Sequence, residues 1–134
     1  MPVFMHKYIE WVVNVEGDGN CGYRAVSTFL GNEEDSHTLV CHQLIQEFKT
    51  HKDSYMRLYG EQDKFEAVYE ALVPWFNDYA LVSKWMRFPK MGHLIACAFD
   101  RVCIDLMQYG FSETLFPLRT APPINLNDHI MFIG

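Results

Sequence analysis

The feature that most constrains the fold is a change of hydrophobic period along this chain of 134 residues. Apolar residues recur at helical spacing in several segments between residues 21 and 98, and they alternate as in strands after residue 101. A run rich in β-branched residues at 11–15 precedes the helical part and predicts a short first strand. The order of strand, helices and strands predicts an α+β fold, in which a small, mostly antiparallel sheet packs among helices.

Four helices and three later strands account for these periods. The first helix begins at Cys21 and ends before Gly31, a residue type that is common just after the last turn of a helix. Its apolar stripe consists of Ala25, Val26, Phe29 and Leu30. The other predicted elements are helices from about Ser36, over 65–72 and from Pro89, and strands at 101–107, 115–118 and 130–133. One domain is expected over residues 1–134, with the motif-bearing core at about 11–134.

Composition excludes several functional classes. The chain has 17 acidic and 11 basic residues, and its net charge of −6 argues against general binding of nucleic acid. No apolar run approaches the roughly 18 residues that a membrane span needs. The four cysteines form no C-x-x-C pair, so reduced thiols are expected. These features predict a cytoplasmic or nuclear protein that needs no cofactor and does not bind membranes.

The loop before the first helix has two interpretations, and it reads Gly17-Asp18-Gly19-Asn20-Cys21-Gly22. It matches G-x-G-x-x-G, the fingerprint of a dinucleotide-binding loop. Such a site also needs a second parallel strand that ends in an acidic residue about 20 residues later. This chain has helical periodicity there, so the dinucleotide-binding domain is a remote alternative.

The second interpretation places the chemistry on Cys21. A thiol in the first turn of a helix lies at the positive end of the helix dipole, which favours the thiolate. The glycines allow a tight turn, so that backbone N–H groups can point into the space above the sulfur, where an oxyanion forms in acyl transfer. From local context alone, a buried structural thiol beside a turn explains Cys21 equally well.

The residues in and beyond this loop resemble a known family. Asp18-Gly19-Asn20-Cys21, followed by Tyr23-Arg24-Ala25-Val26, resembles the signature of ovarian-tumour-type (OTU) cysteine proteases. The resemblance continues through Trp85-Met86, Gly92-His93-Leu94-Ile95-Ala96 and Val102-Cys103-Ile104. The stretches most similar to an OTU-like branch of transposon-derived plant and fungal proteins are Phe116-Pro117-Leu118-Arg119 and Ile130-Met131-Phe132-Ile133-Gly134.

This resemblance implies a papain-like OTU fold and hydrolysis of the isopeptide or peptide bond that follows the ubiquitin C-terminus. The implied partners are ubiquitin and ubiquitin conjugates. By position, Cys21 would attack the carbonyl carbon, and Asp18 with the backbone near Gly19, Asn20 and Cys21 would shape the oxyanion hole. Asp18 also has a simpler explanation, as a turn residue that hydrogen-bonds its own backbone.

A cysteine protease also needs a general base, normally a histidine. Among the six histidines the candidate is His129, which opens a strand-like run and which Asn125, Asn127 or Asp128 would orient. In the branch that the chain resembles, however, the catalytic histidine follows a few residues after an Ile-Gly that corresponds to Ile133-Gly134. On that account the base and the last strand lie beyond Gly134, and His129 is a strand-edge residue. The flanking residues favour this second account.

Two further expectations follow from the same residues. If the base is absent, the alternative function is a non-catalytic OTU-like module that binds ubiquitin. His37 and Cys41 are spaced as metal ligands on one helix can be, but no second pair accompanies them. No metal site is therefore predicted.

Overall fold

The computed structural model describes residues 7, 12–73, 80–88, 90–106, 112–121, 124 and 129–133. These residues form helices α1 (Cys21–Phe29), α2 (His37–Thr50), α3 (Lys52–Tyr59), α4 (Gln62–Leu72) and α5 (Gly92–Phe99). They also form strands β1 (Val102–Asp105), β2 (Glu113–Leu115) and β3 (Ile130–Ile133), with 3-10 turns at Glu34–Ser36 and Val82–Lys84. The α+β class predicted from the sequence is confirmed.

The sheet is mixed and has the strand order β2-β1-β3. β1 and β2 are antiparallel, with Cys103 opposite Leu115, whereas β1 and β3 are parallel, with Cys103 opposite Met131. The prediction of a mostly antiparallel sheet is not confirmed, since the described strands form one pair of each kind. Alternation of apolar residues predicts strands, but it carries no information about the direction of the partner strand.

Helix α2 is the centre of the helical layer and packs against α1, α4 and α5. Its inner face buries Val40, Leu44 and Phe48 completely. The Phe48 ring stacks on Phe65 with 4.3 Å between centroids and meets Tyr55 at 5.4 Å. Since α1 packs against both α2 and β3, the helix that begins at Cys21 is in contact with the helical core and with the sheet.

The buried face of α1 is only partly the predicted apolar stripe. Val26 is fully buried, but Phe29 remains 43% exposed, and the polar residues Arg24 and Ser27 are buried instead. The Ser27 hydroxyl donates to the carbonyl of Glu33 at 2.6 Å, which satisfies that group in the interior. Part of the buried face of α1 is therefore polar, and hydrogen bonds satisfy the side chains there.

Three other predictions differ in detail from the described residues. Residues 12–17 form no strand, and Trp11 and Pro89 lie outside the described part. β2 ends at Leu115 rather than beginning there. Helix α3 was not predicted, because it is only eight residues long and buries only Tyr55 and Tyr59. It ends at Gly60, whose φ of 75° is left-handed.

The described residues contain no helix with the length and apolar character needed to cross a bilayer.

Candidate active site

Cys21 is the first residue of α1, and its side chain is exposed. Asn20 precedes it at the N-cap, and within the described residues no side chain caps this end of the helix. The first intrahelical bond runs from the Arg24 N–H to the Asn20 carbonyl at 2.9 Å. The N–H groups of the first turn therefore lack intrahelical partners and lie beside the thiol, where the helix dipole is positive.

The loop before Cys21 is held by a buried ion pair. The Asp18 carboxylate accepts from Arg24 through both oxygens, with Nη2 at 2.7 Å from Oδ2 and Nε at 3.2 Å from Oδ1. Asp18 Oδ1 also accepts from the backbone N–H of Asn20 at 2.9 Å, and Oδ2 accepts from the Asn20 amide at 3.2 Å. All three residues are buried. Asp18 is thus both the turn residue and an ion-pair partner.

This pair fixes the charge states of its members. The hydrogen bond from Arg24 holds the pKa of the Asp18 carboxyl well below its usual range, although burial acts in the opposite direction. The same hydrogen bond raises the pKa of Arg24. Asp18 is therefore ionised, and its oxygens are fully engaged as acceptors of hydrogen bonds.

The hydrogen bonds between Asp18 and Asn20 bear on which backbone donors are open beside Cys21. Because the Asn20 N–H already donates to Asp18, it is not free to stabilise an oxyanion in this conformation. The next N–H along the chain, that of Cys21, belongs to the open first turn of α1. The geometry therefore favours the Cys21 N–H as the donor nearest to the sulfur.

A second segment, residues 80–85, packs against this loop. The backbone N–H of Ala80 donates to the Asp18 carbonyl at 2.8 Å, and Trp85 Nε1 donates to the Ala80 carbonyl at 3.3 Å. Gly19 has a φ of 87°, and a Cβ there would lie 2.8 Å from both the Ala80 oxygen and Trp85 Nε1. Only glycine permits both this turn and this close approach.

The segments that contact the loop carry exposed apolar residues and acidic residues. Leu81, Val82 and Trp85 are each at least half exposed. Carboxylate oxygens of Glu16, Glu34 and Asp35 lie within 4.8 Å of one another, a grouping that oxygen-binding cations can use. The guanidinium of Arg24 contacts two of these groups, Glu16 at 3.7 Å and Asp35 at 2.7 Å, and supplies the positive charge among them.

His129 lies just before β3, and its carbonyl accepts from the Val102 N–H at 2.7 Å. Its Nδ1 atom is buried and has no hydrogen-bond partner within the described part of the chain. Among the described residues, no hydrogen bond joins the His129 ring to Cys21, although α1 and the strand that follows His129 pack against each other. Asn125, Asn127 and Asp128, which were predicted to orient this ring, lie outside the described residues.

The remaining cysteines differ from Cys21. Cys41 and Cys103 are buried, and burial raises the pKa of each thiol to about 12. Cys97 is half-buried, and its sulfur accepts from the Leu118 N–H at 3.1 Å. The local sequence is equally consistent with Cys21 as a buried structural thiol. In the structure, Cys41 and Cys103 fit that description, and the exposed Cys21 does not.

The other predicted arrangements have little support in the described residues. The region where a dinucleotide site would need its second parallel strand is α2. Of the pair spaced as metal ligands can be, His37 Nδ1 lies 3.3 Å from the Glu34 carbonyl and Cys41 is buried in the core.

Sequence reasoning missed the part that Arg24 plays. The residue belongs to the run that resembles the OTU signature, yet nothing in its spacing shows which carboxylate it would meet. A basic residue on the otherwise buried face of a short helix, next to a loop aspartate, is the signal that was available.

Comparisons with models of protein families, with curated proteins and with solved structures found no match to this chain.

Proposed function

We propose that this chain is an OTU-like cysteine protease domain, a variant of the papain-like OTU fold, with Cys21 as its nucleophile. The observation that carries the proposal is an exposed thiol at an uncapped helix N-terminus, in a loop held by a buried ion pair. This arrangement suits nucleophilic chemistry, because the thiol is accessible and backbone donors lie beside it. The motif that contains these residues is the one that resembles the family.

The substrates we propose are ubiquitin conjugates, and the expected compartment is the cytoplasm or nucleus. The sulfur of Cys21 would attack the carbonyl carbon of the bond after the ubiquitin C-terminus, and the Cys21 N–H would donate to the oxygen. The carbon–nitrogen bond then breaks, the amine leaves with a proton from the general acid, and water hydrolyses the thioester. This cycle needs a group that takes and returns a proton.

A second candidate function is a non-catalytic module that binds ubiquitin. The observation that favours it is the buried Nδ1 of His129, which has no hydrogen-bond partner to orient the ring among the described residues. A thiol without a base can still react with a strong electrophile, but it cannot deliver a proton to a leaving amine at a useful rate. The two candidates therefore differ in turnover and not in labelling.

The first experiment uses ubiquitin that carries an electrophile at its C-terminus. We expect the wild-type chain to be labelled at Cys21 and Cys21→Ala to remain unlabelled. Cys97→Ala is the matched control, because this half-buried thiol is in α5 and accepts from the Leu118 N–H, and its labelling should equal that of the wild type. Absence of labelling in the wild type, or labelling that survives in Cys21→Ala, would refute the proposal.

The second experiment measures cleavage of di-ubiquitin. If His129 is the base, wild type cleaves and His129→Ala loses several orders of magnitude in kcat/KM, as removal of a member of a catalytic pair does. If His129 is a strand-edge residue, His129→Ala matches the wild type. Labelling without cleavage would select the non-catalytic module.

A further inference from the structure

Arg24 is the one cation that joins the loop before Cys21 to its surroundings among the contacts described above. It is 6% exposed, although arginine seldom lies in the interior without partners. Its guanidinium holds Asp18 through two nitrogens and reaches Asp35 and the Glu34 carbonyl through the third, at 2.7 and 3.4 Å. The planar fork of donors thus has one buried arm and one arm at the surface.

The two arms differ in burial. The side chain of Asp18 is 9% exposed, whereas that of Asp35 is 82% exposed. A surface ion pair contributes little to stability because water and salt screen it, whereas loss of one member of a buried pair leaves an uncompensated charge. The buried arm is therefore the one whose loss has consequences, and it leads to the loop and not to the 3-10 turn at Glu34–Ser36.

The buried arm continues to the backbone next to the thiol. Asp18 Oδ1, which accepts from Arg24 Nε, also accepts from the Asn20 N–H at 2.9 Å. This bond fixes the Gly19–Asn20 peptide and keeps the Asn20 N–H occupied. The next peptide, Asn20–Cys21, carries the Cys21 N–H, the donor nearest to the sulfur, and its carbonyl accepts from the Arg24 N–H at 2.9 Å. Its orientation depends on the conformation of Asn20, whose N–H and side-chain amide are both held by Asp18.

We propose that Arg24 is a positioning residue for Cys21, acting through Asp18 and the Asn20 N–H. The inference rests on the proposed function of Cys21 as the nucleophile. Arg24 itself touches no reacting atom. It keeps the Asp18 carboxylate in one orientation, and that carboxylate keeps the loop in the conformation in which the first-turn N–H groups face an oxyanion. Lysine in its place would keep the charge but would lose the fork that grips both oxygens.

The test compares Arg24→Lys, Asp18→Asn, their double variant and the control Asp35→Asn. Asp35→Asn removes the exposed partner of the same guanidinium and leaves the buried arm intact. With a ubiquitin substrate we expect Arg24→Lys to lower kcat about tenfold or more with KM nearly unchanged, the pattern of an interaction made in the transition state. Asp35→Asn should match the wild type in both constants.

The double variant shows whether Arg24 acts through Asp18. We expect it to be no slower than the slower single variant, because residues that act as one unit do not add. Multiplied losses would mean independent roles and would overturn the proposal. An equal loss of kcat in Arg24→Lys and Asp35→Asn would also overturn the proposal, because it would mean that Arg24 acts by linking α1 to the 3-10 turn.

A readout that needs no catalysis separates this inference from the proposed function. In the wild type we expect slow hydrogen exchange at the Asn20 amide, because it donates to a buried carboxylate. Arg24→Lys should speed exchange at Asn20 about tenfold or more while the amide of Leu44, in α2, stays protected to the same degree. Equal loss of protection at both amides would show a general loss of stability and would refute positioning. Failure of wild type to react with any ubiquitin substrate would refute the function but would leave this measurement decisive.

Discussion

At the scale of single residues, the four thiols of this chain occupy distinct environments. Cys21 is exposed at a helix N-terminus, Cys97 is half-buried, and Cys41 and Cys103 are enclosed. Burial raises the pKa of the last two thiols to about 12, so at neutral pH they are protonated as well as shielded. Reactivity and accessibility therefore point to the same residue.

Brief treatment of the folded chain with iodoacetamide at pH 7 should label Cys21 first and Cys97 second. Cys41 and Cys103 should stay unlabelled until the chain unfolds, because the thiolate is the reacting species and neither sulfur reaches solvent. Peptide mapping at short times gives the order. Equal labelling of Cys21 and Cys103 would contradict the environment described for Cys21.

The Asp18–Arg24 ion pair makes the free energy of unfolding depend on pH in the acidic range. Because Arg24 holds the pKa of Asp18 below its unfolded value, the pair contributes stability above that unfolded value, and this contribution is lost as pH falls toward the folded pKa. Asp18→Asn should therefore lower the free energy of unfolding at pH 7 by about 2 kcal/mol, the order expected for breaking a buried charged hydrogen bond. Denaturant titrations should find a smaller difference at pH 3, and a difference that grows in acid would contradict the ion pair.

At the scale of elements, the sheet contains a pair with the opposite pH dependence. Asp105 of β1 lies opposite Glu113 of β2. Burial, and secondly the charge of Glu113, raises the pKa of Asp105, so the folded state holds its proton more tightly than the unfolded state does. Its contribution to stability is therefore present in acid and is lost as pH rises through the folded pKa.

Asp105→Asn should raise the free energy of unfolding at pH 7 by up to about 1 kcal/mol, because like charges directly opposite in a sheet are destabilising. The gain should shrink as pH falls through the raised pKa of the wild-type carboxyl, because that carboxyl is then neutral as well. Glu113→Gln is the matched control on the exposed side of the pair, and a smaller gain is expected there. A loss of stability in Asp105→Asn at pH 7 would show that the carboxylate makes a favourable interaction that outweighs its repulsion from Glu113.

The elements also show how far the sequence could predict the fold. Long stripes such as that of α2 were found correctly, since Val40, Leu44 and Phe48 recur at helical spacing. Helix α3 was missed because two buried tyrosines four residues apart are too few to define a period. The parallel pairing of β3 with β1 was missed because it depends on which distant strands meet, and local alternation does not record that.

The candidate site was predictable to a similar extent. Cys21 at a helix start follows from turn residues before an apolar stripe, and the structure places it there. The hydrogen bond from the Asn20 N–H to Asp18 matches the alternative interpretation of Asp18 as a turn residue. The sequence could not choose between this interpretation and an oxyanion-hole residue, because both have the same sequence signal. The contact of Asp18 with Arg24 depends on side-chain directions that no local pattern shows.

At the scale of the whole molecule, the loop at Gly19 and the segment at 80–85 join parts of the chain that lie far apart in sequence. Gly19 and Gly31 have similar left-handed φ values, 87° and 81°, but a Cβ would meet the Ala80 oxygen and Trp85 only at Gly19. At Gly31 nothing lies within 4 Å. Substitutions at these two glycines therefore distinguish the cost of a left-handed backbone from the cost of a steric clash with a distant segment.

Gly31→Ala should cost about 1 kcal/mol, the penalty for a left-handed residue with a side chain. Gly19→Ala should cost about 1–3 kcal/mol more, the usual range for overpacking, because the Ala80 backbone must also move. Thermal or denaturant unfolding of both variants gives the comparison. Equal losses would mean that the 80–85 segment yields easily and does not brace the loop before Cys21.

The parallel contact between β1 and β3 has a consequence for how the chain is made. Since β3 follows every other described element in the chain, the sheet stays incomplete until β3 has been synthesised, while the helices that precede it can already fold. During that interval the edge of β1 that β3 later covers presents free backbone groups. A nascent chain of this protein therefore has a period in which other extended segments compete for the place that β3 will take.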